Sequence, residues 1–153
     1  MAVPSVFNFK KWIDEHRNQL KPPVGNAQVY LEAGNFIVMV VGGPNARKDY
    51  HYNESEEFFY QLEGNIVIKI VDEGKFVDIN LNEGDIFLLP AKTPHSPRRG
   101  PNTIGLVMEK VRAKGTYVCT MYIRMYIFIY IHTYIHIYIY IYMESGKIGR
   151  AHV

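Results

Sequence analysis

Two short stretches of this chain carry side chains that could hold a metal ion. Residues 47–57 read RKDYHYNESEE and residues 90–99 read PAKTPHSPRR. They supply His51, Glu57 and His95, two imidazoles and one carboxylate. Two histidines and a carboxylate on one face of an ion leave coordination positions open, which is how non-haem Fe(II) oxygenases hold a substrate and O₂ together. Zinc prefers closed tetrahedral nitrogen and sulfur sites, so Fe(II) is the expected ion. An arginine lies four residues from each histidine, Arg47 before His51 and Arg99 after His95. A guanidinium fork matches a carboxylate through two parallel hydrogen bonds, so the pair points to an anionic substrate.

Strand geometry turns this spacing into a site. If residues 47–53 are extended, Arg47, Asp49 and His51 share a face, because side chains two apart point the same way. If the two histidine-bearing strands are antiparallel neighbours with the histidines opposed, both arginines fall on one side of the ion. Four strand residues span roughly 13 Å, which suits a small aromatic ring held by metal at one end and arginine at the other. Pro97 weakens the parity for Arg99 and leaves Arg98 as a competing residue. Glu109, within GLVMEKV, shares a face with Gly105 and Val107. A carboxylate aimed into an apolar interior is costly unless paired or used. As a general base it could take a proton from the substrate. Taken singly, these residues have ordinary readings: a packed histidine, solvated glutamates, a turn histidine between prolines, exposed arginines. Their joint order is what distinguishes them.

The elements that must position them are mostly strands. Phe9, Trp12, Ile13, His16 and Leu20 fall at helical spacing, with Asn8 as a cap and Pro22-Pro23 as a stop. From Phe36 onward the pattern is β. Apolar runs at 36–41, 57–62 and 86–89 and alternating ones at 66–70 and 77–81 are separated by Gly-containing turns, and 103–111 gives a further strand. Short strands at regular spacing predict an all-β, jelly-roll barrel of the kind that includes the cupins, with a short N-terminal helix.

Composition bounds the rest. The 153 residues fit one domain, and a net charge of +2 with scattered Lys and Arg gives no reason to expect nucleic acid. No secretory signal pattern opens the sequence. Cys119 is the single cysteine, so a disulfide framework and a cysteine metal site are not expected, and a reducing, cytoplasmic setting fits. Eight of the 12 tyrosines lie between Tyr117 and Tyr142, in a low-complexity Ile/Tyr stretch. It reaches the roughly 20 residues of a membrane span, but Arg124, His132 and His136 interrupt it. Alternating Tyr and Ile is what a translated TATATA repeat gives, and Ile148–Val153 back-translates into a common sequencing-adapter sequence. Residues 1–115 are therefore taken as the functional domain and 116–153 as a tail of non-native origin, with an aggregation-prone strand and a membrane anchor as the competing readings.

The motifs resemble those of the cupins. His51-x-Asn53-x-x-x-Glu57 with Gly64 forms the first, and Gly84, Pro90 and His95 form the second. Asn53 stands where the usual pattern has another histidine, which leaves more of the ion open. More specifically, GGPNARKDYH at 42–51, EFFYQLEG at 57–64, PHSP at 94–97 and NTIGLVME at 102–109 resemble the 3-hydroxyanthranilate 3,4-dioxygenase family, over roughly residues 7–114. Family members continue with further barrel strands beyond that point, so the resemblance implies a cupin double-stranded β-helix incomplete at its C-terminal end. The resemblance implies Fe(II) ligated by His51, Glu57 and His95. It implies a substrate carboxylate met by Arg47 and Arg99, a substrate-contacting acid at Glu109, and Asn26 near the substrate. The implied reaction opens 3-hydroxyanthranilate with O₂, between the hydroxyl-bearing and carboxyl-bearing carbons. The product is 2-amino-3-carboxymuconate semialdehyde, on the kynurenine route from tryptophan towards quinolinate and NAD. Implied partners are this small aromatic substrate and O₂, with no nucleic acid and no membrane, and a homodimer is open.

Three other readings stand beside this one. A non-catalytic metal- or anion-binding cupin would not need Arg47, Arg99 and Glu109. An inactive fragment of the dioxygenase would keep the motifs without the chemistry. A different cupin dioxygenase would act on another ortho-substituted phenol.

Overall fold

The computed structural model describes residues 3–22, 25–32, 34–45, 47–111, 119–128 and 136–143. The expected domain boundary at 115/116 and the adapter-like residues 148–153 lie outside these.

A short helix opens the fold. Asn8 accepts from the Lys11 backbone N–H at 2.9 Å and caps α1 (Phe9–His16). The helix ends sooner than the spacing of its apolar residues suggests. His16 Nδ1 donates to the Trp12 carbonyl at 2.7 Å, and three-residue closures at Gln19 and Leu20 tighten the chain into turns. Leu20 is buried from those turns and not from a helix face.

The remaining described elements are strands: β1 (Asn26–Gln28), β2 (Phe36–Gly42), β3 (Tyr50–Tyr52), β4 (Glu57–Glu63), β5 (Ile66–Asp72), β6 (Lys75–Leu81), β7 (Ile86–Leu89), β8 (His95–Arg99), β9 (Ile104–Lys110), β10 (Cys119–Phe128) and β11 (His136–Met143). The six expected apolar or alternating runs all become strands. β1, β3 and β8 are short and carry little apolar pattern of their own. Gly64 and Gly84, the motif glycines, take φ of 65° and 91° in the turns after β4 and before β7. L-residues with a Cβ avoid that region, which explains glycine at both places.

Two antiparallel sheets result, in the orders β1-β2-β9-β4-β7 and β11-β10-β3-β8-β5-β6. Between them lies a core of Phe59, Ile66, Ile68, Ile70, Leu81, Leu89 and Val107. Burying a side chain the size of Phe59 contributes about 1.5–3 kcal/mol. A second cluster, with Ile13, Leu20 and Val40, seats α1 on the outer face of the first sheet. The Ile/Tyr stretch supplies the backbone of β10 and β11, and Thr120 pairs opposite His51 along β3. Among the described residues, no helix is long and apolar enough to cross a membrane.

Candidate active site

Strand parity sends one set of polar side chains inward from each sheet. On β4, Glu57, Phe59 and Gln61 alternate inward, and Glu57 pairs in register with Glu109 of β9. On β8, His95, Pro97 and Arg99 alternate inward, facing Ile70, Ile68 and Ile66 of β5. The first sheet therefore brings the carboxylates, and the second brings the imidazoles and a guanidinium.

His51 and His95 are register partners across β3 and β8, as the antiparallel argument requires. Their rings meet edge to face with centroids 5.7 Å apart. His95 is fully buried, and its Nδ1 sits 3.0 Å from the Thr93 carbonyl oxygen. A carbonyl only accepts, so Nδ1 carries a proton and Nε2 is the nitrogen turned to the interior. That Nε2 lies 2.9 Å from Glu57 Oε2, yet it lacks the alignment of a hydrogen bond and has no such partner among the described residues. A buried imidazole nitrogen without a hydrogen-bond partner and a carboxylate oxygen at contact distance are donor atoms a cation would take, and imidazole plus carboxylate suits Fe(II). His51 differs. Its Nε2 is turned to Asp49 Oδ2 at 3.5 Å. Among the described residues, no three His, Cys, Asp or Glu side chains converge as a metal-ligand cluster in this conformation. Burial, then Arg47 and His95, push the His51 pKa down to about 4, so the ring is neutral at pH 7, the form a ligand needs.

Asn53 occupies the position of the absent histidine and has a different task. It is buried, and its Nδ2 donates to Glu57 Oε2 at 3.0 Å and Glu109 Oε2 at 3.3 Å. One amide thus ties together the expected metal carboxylate and the expected substrate acid.

The arginines are placed unequally. Pro97 does not disturb the parity of β8. Its carbonyl accepts from Asn45 Nδ2 at 3.0 Å, so its N–H-less nitrogen faces that loop and not β5. Arg99 therefore points inward and is 4% exposed, while Arg98 takes the opposite face. Desolvation lowers the Arg99 pKa to about 10, with Glu57 opposing the shift, so it remains charged at neutral pH. Arg47 lies outside the strands, with its Nε donating to Asp49 Oδ1 at 3.0 Å. The ideal register would set Arg47 against Arg99. Instead the Asn45 N–H donates to the Arg99 carbonyl at 3.0 Å, a slip of two residues in the loop before β3. Arg47 lines a pocket of about 560 Å³ with Asn26, Val41 and Asn45, so the fold does bring Asn26 and Arg47 together. His51, Glu57, His95, Arg99 and Glu109 do not line that pocket.

Sequence reasoning missed Asn45, the bridging role of Asn53, and Gln61. Gln61 carried a signal, being a polar residue at inward parity inside the run EFFYQLE.

Comparison with known proteins places the chain in a family. A family model described as 3-hydroxyanthranilic acid dioxygenase matches residues 1–141, which extends into the Ile/Tyr stretch. Proteins named 3-hydroxyanthranilate 3,4-dioxygenase match from Lodderomyces elongisporus (52% identical over 115 residues, 75% of this chain and 65% of that protein) and Ruegeria pomeroyi (55% over 118 residues, 76% and 65%). The chain thus spans about 65% of the length of these curated relatives. Among solved structures, a cupin-2 domain containing protein from Shewanella frigidimarina matches at TM-score 0.55 and 17% identity, covering 69% of this chain and 95% of its own. A protein from Neisseria meningitidis matches at TM-score 0.52 and 18% identity, covering 70% and 100%. These two likenesses show the fold, and the first is that of a cupin-2 domain. With two antiparallel sheets, inward-facing His95 and Glu57, and a family match over residues 1–141, the chain belongs to the 3-hydroxyanthranilic acid dioxygenase family.

Proposed function

We propose that this chain is an Fe(II)-dependent dioxygenase that opens the ring of 3-hydroxyanthranilate with O₂ to give 2-amino-3-carboxymuconate semialdehyde. The observation that carries the reading is the facing pair of His95 Nε2 and Glu57 Oε2, 2.9 Å apart, in an interior that also holds Arg99 and Glu109. His95, Glu57 and a rotated His51 are the residues that would hold the ion. Bound Fe(II) supplies a chelation point for the neighbouring hydroxyl and amine of the ring and brings O₂ into reach.

The chain's own residues account for the rest. Buried Arg99 offers its charge to the substrate carboxylate, and Arg47 lines a pocket with Asn26. Glu109 takes the hydroxyl proton as general base, and Asn53 fixes its carboxylate relative to Glu57. The buried surroundings of Phe59 and Val107 restrict water around the reacting ring. A non-catalytic cupin is not favoured, because a binding scaffold has no use for this charged interior. The catalytic unit is residues 1–115. The single Cys119 agrees with a reducing, cytoplasmic setting.

The test is anaerobic loading of residues 1–153 with Fe(II), then addition of 3-hydroxyanthranilate and air. Growth of the yellow semialdehyde absorbance is expected. Iron bound with no product would instead leave a binding protein.

A further inference from the structure

Gln61 stands in β4 opposite Gly105 of β9, at the point where the register slips before Glu63. Its side chain is buried, the residue being 1% exposed. Nε2 donates to the Glu63 carbonyl at 2.9 Å, which fixes the orientation of the amide. Oε1 is thereby turned to Arg99 and accepts from its Nη1 at 3.3 Å. Among the described residues this is the one hydrogen bond of the Arg99 guanidinium. Gly105 opens the slot in which they meet. A Cβ there would lie 2.8 Å from Gln61 Oε1 and 2.9 Å from Arg99 Nη1. The Gln61 backbone is also pinned, with its N–H on Asp85 O at 2.9 Å and its carbonyl accepting from Gly84 at 2.8 Å.

We propose that Gln61, in the slot left by Gly105, is a positioning residue that aims the Arg99 guanidinium at the substrate carboxylate and so sets the preference for carboxylated over uncarboxylated aminophenols. The chemistry of the partner matters. A carboxylate at position 61 would neutralise Arg99, whereas an amide holds one of its N–H groups without adding charge and leaves Glu57 to act on the guanidinium only across space. The buried cation then favours a ligand that brings a negative charge of its own. This inference rests on the dioxygenase reading for its ligand.

The experiment is calorimetric binding of 3-hydroxyanthranilate and of 2-aminophenol to the Fe(II)-loaded 153-residue chain without O₂. Both ligands present a neighbouring hydroxyl and amine, and they differ in the carboxylate. Wild type should prefer the carboxylated ring. Gln61→Met should cut that preference by about tenfold, the worth of a hydrogen bond to a charged group. Gln61→Glu, closest in size, should cut it at least as far. In both, 2-aminophenol affinity should hold, which a general loss of structure would not allow. An unchanged preference in folded Gln61→Met or Gln61→Glu overturns the positioning role, and so does a wild type without preference. A wild type that prefers the carboxylated ring but yields no product in air leaves the positioning role standing and removes the dioxygenase reading.

Discussion

His51 and His95 stand directly opposite each other across β3 and β8, and Glu57 reaches His95 from the other sheet. Residues from 51 to 95 are thus joined by one backbone pairing and one side-chain contact. The pairing sets both rings at one level of the interior. The contact ties the second sheet to the first at that level.

Removing either side of that contact should abolish tight metal binding. His95→Ala or Glu57→Gln should lower Fe(II) affinity by well over about 100-fold, since outer-shell losses alone cost 10–100-fold. Iron titration under anaerobic conditions reads this directly. Wild-type affinity in either variant would remove them from the ligand set.

Asn53 should act one step out from the metal. Asn53→Ala removes the amide that links the Glu57 and Glu109 carboxylates, and Fe(II) affinity should fall about tenfold while the fold persists. The thermal midpoint and the iron titration should be measured on the same preparation. If only the midpoint moves, Asn53 is a packing residue.

The inward arginine should matter far more than its neighbour. Arg99→Ala should weaken 3-hydroxyanthranilate binding by about 2–3 kcal/mol with iron retained, whereas Arg98→Ala should leave it within about threefold. Equal losses in the two variants would contradict the parity of β8. Arg47→Ala should also weaken substrate binding without metal loss, and unchanged substrate affinity there would refute its role.

The helix is tied to β4 by Arg17, which donates from Nη1 and Nη2 to Glu63 at 3.0 and 2.7 Å. Arg17 holds the Glu63 carboxyl below its ordinary pKa of 4.5. A depressed folded pKa means that the unfolded state binds more protons, so this stability is present above pH 4.5 and fades as pH falls through the folded value. Both side chains are about two-fifths exposed, which limits the pair to under about 1 kcal/mol. Arg17→Ala should lower stability slightly at pH 7 and flatten its decline below pH 4.5. Urea unfolding at pH 7 and pH 3.5 compares the two, and identical slopes would discount the pair.

Much of this was legible in the chain. Alternation at Ile66, Ile68 and Ile70 and the apolar runs gave the strands, because a half-buried strand must repeat every two residues. The same rule put Glu109 on an inward face. The short strands left no such trace. β3 and β8 are held by their neighbours' backbone and by Asn45, so nothing in HSPRR announces a strand.

By itself, then, the sequence determined the fold class, the metal-ligand candidates and the expectation of an anionic substrate, since residue type and parity are local properties. Tertiary structure decided which groups meet. It set Asn53 between two carboxylates and turned His51 towards Asp49. It slipped Arg47 by two residues from the ideal register and gave Arg99 a neutral partner in Gln61. Each depends on how two separate strands or loops approach, and side-chain contacts across such gaps are fixed by packing and not by spacing along the chain.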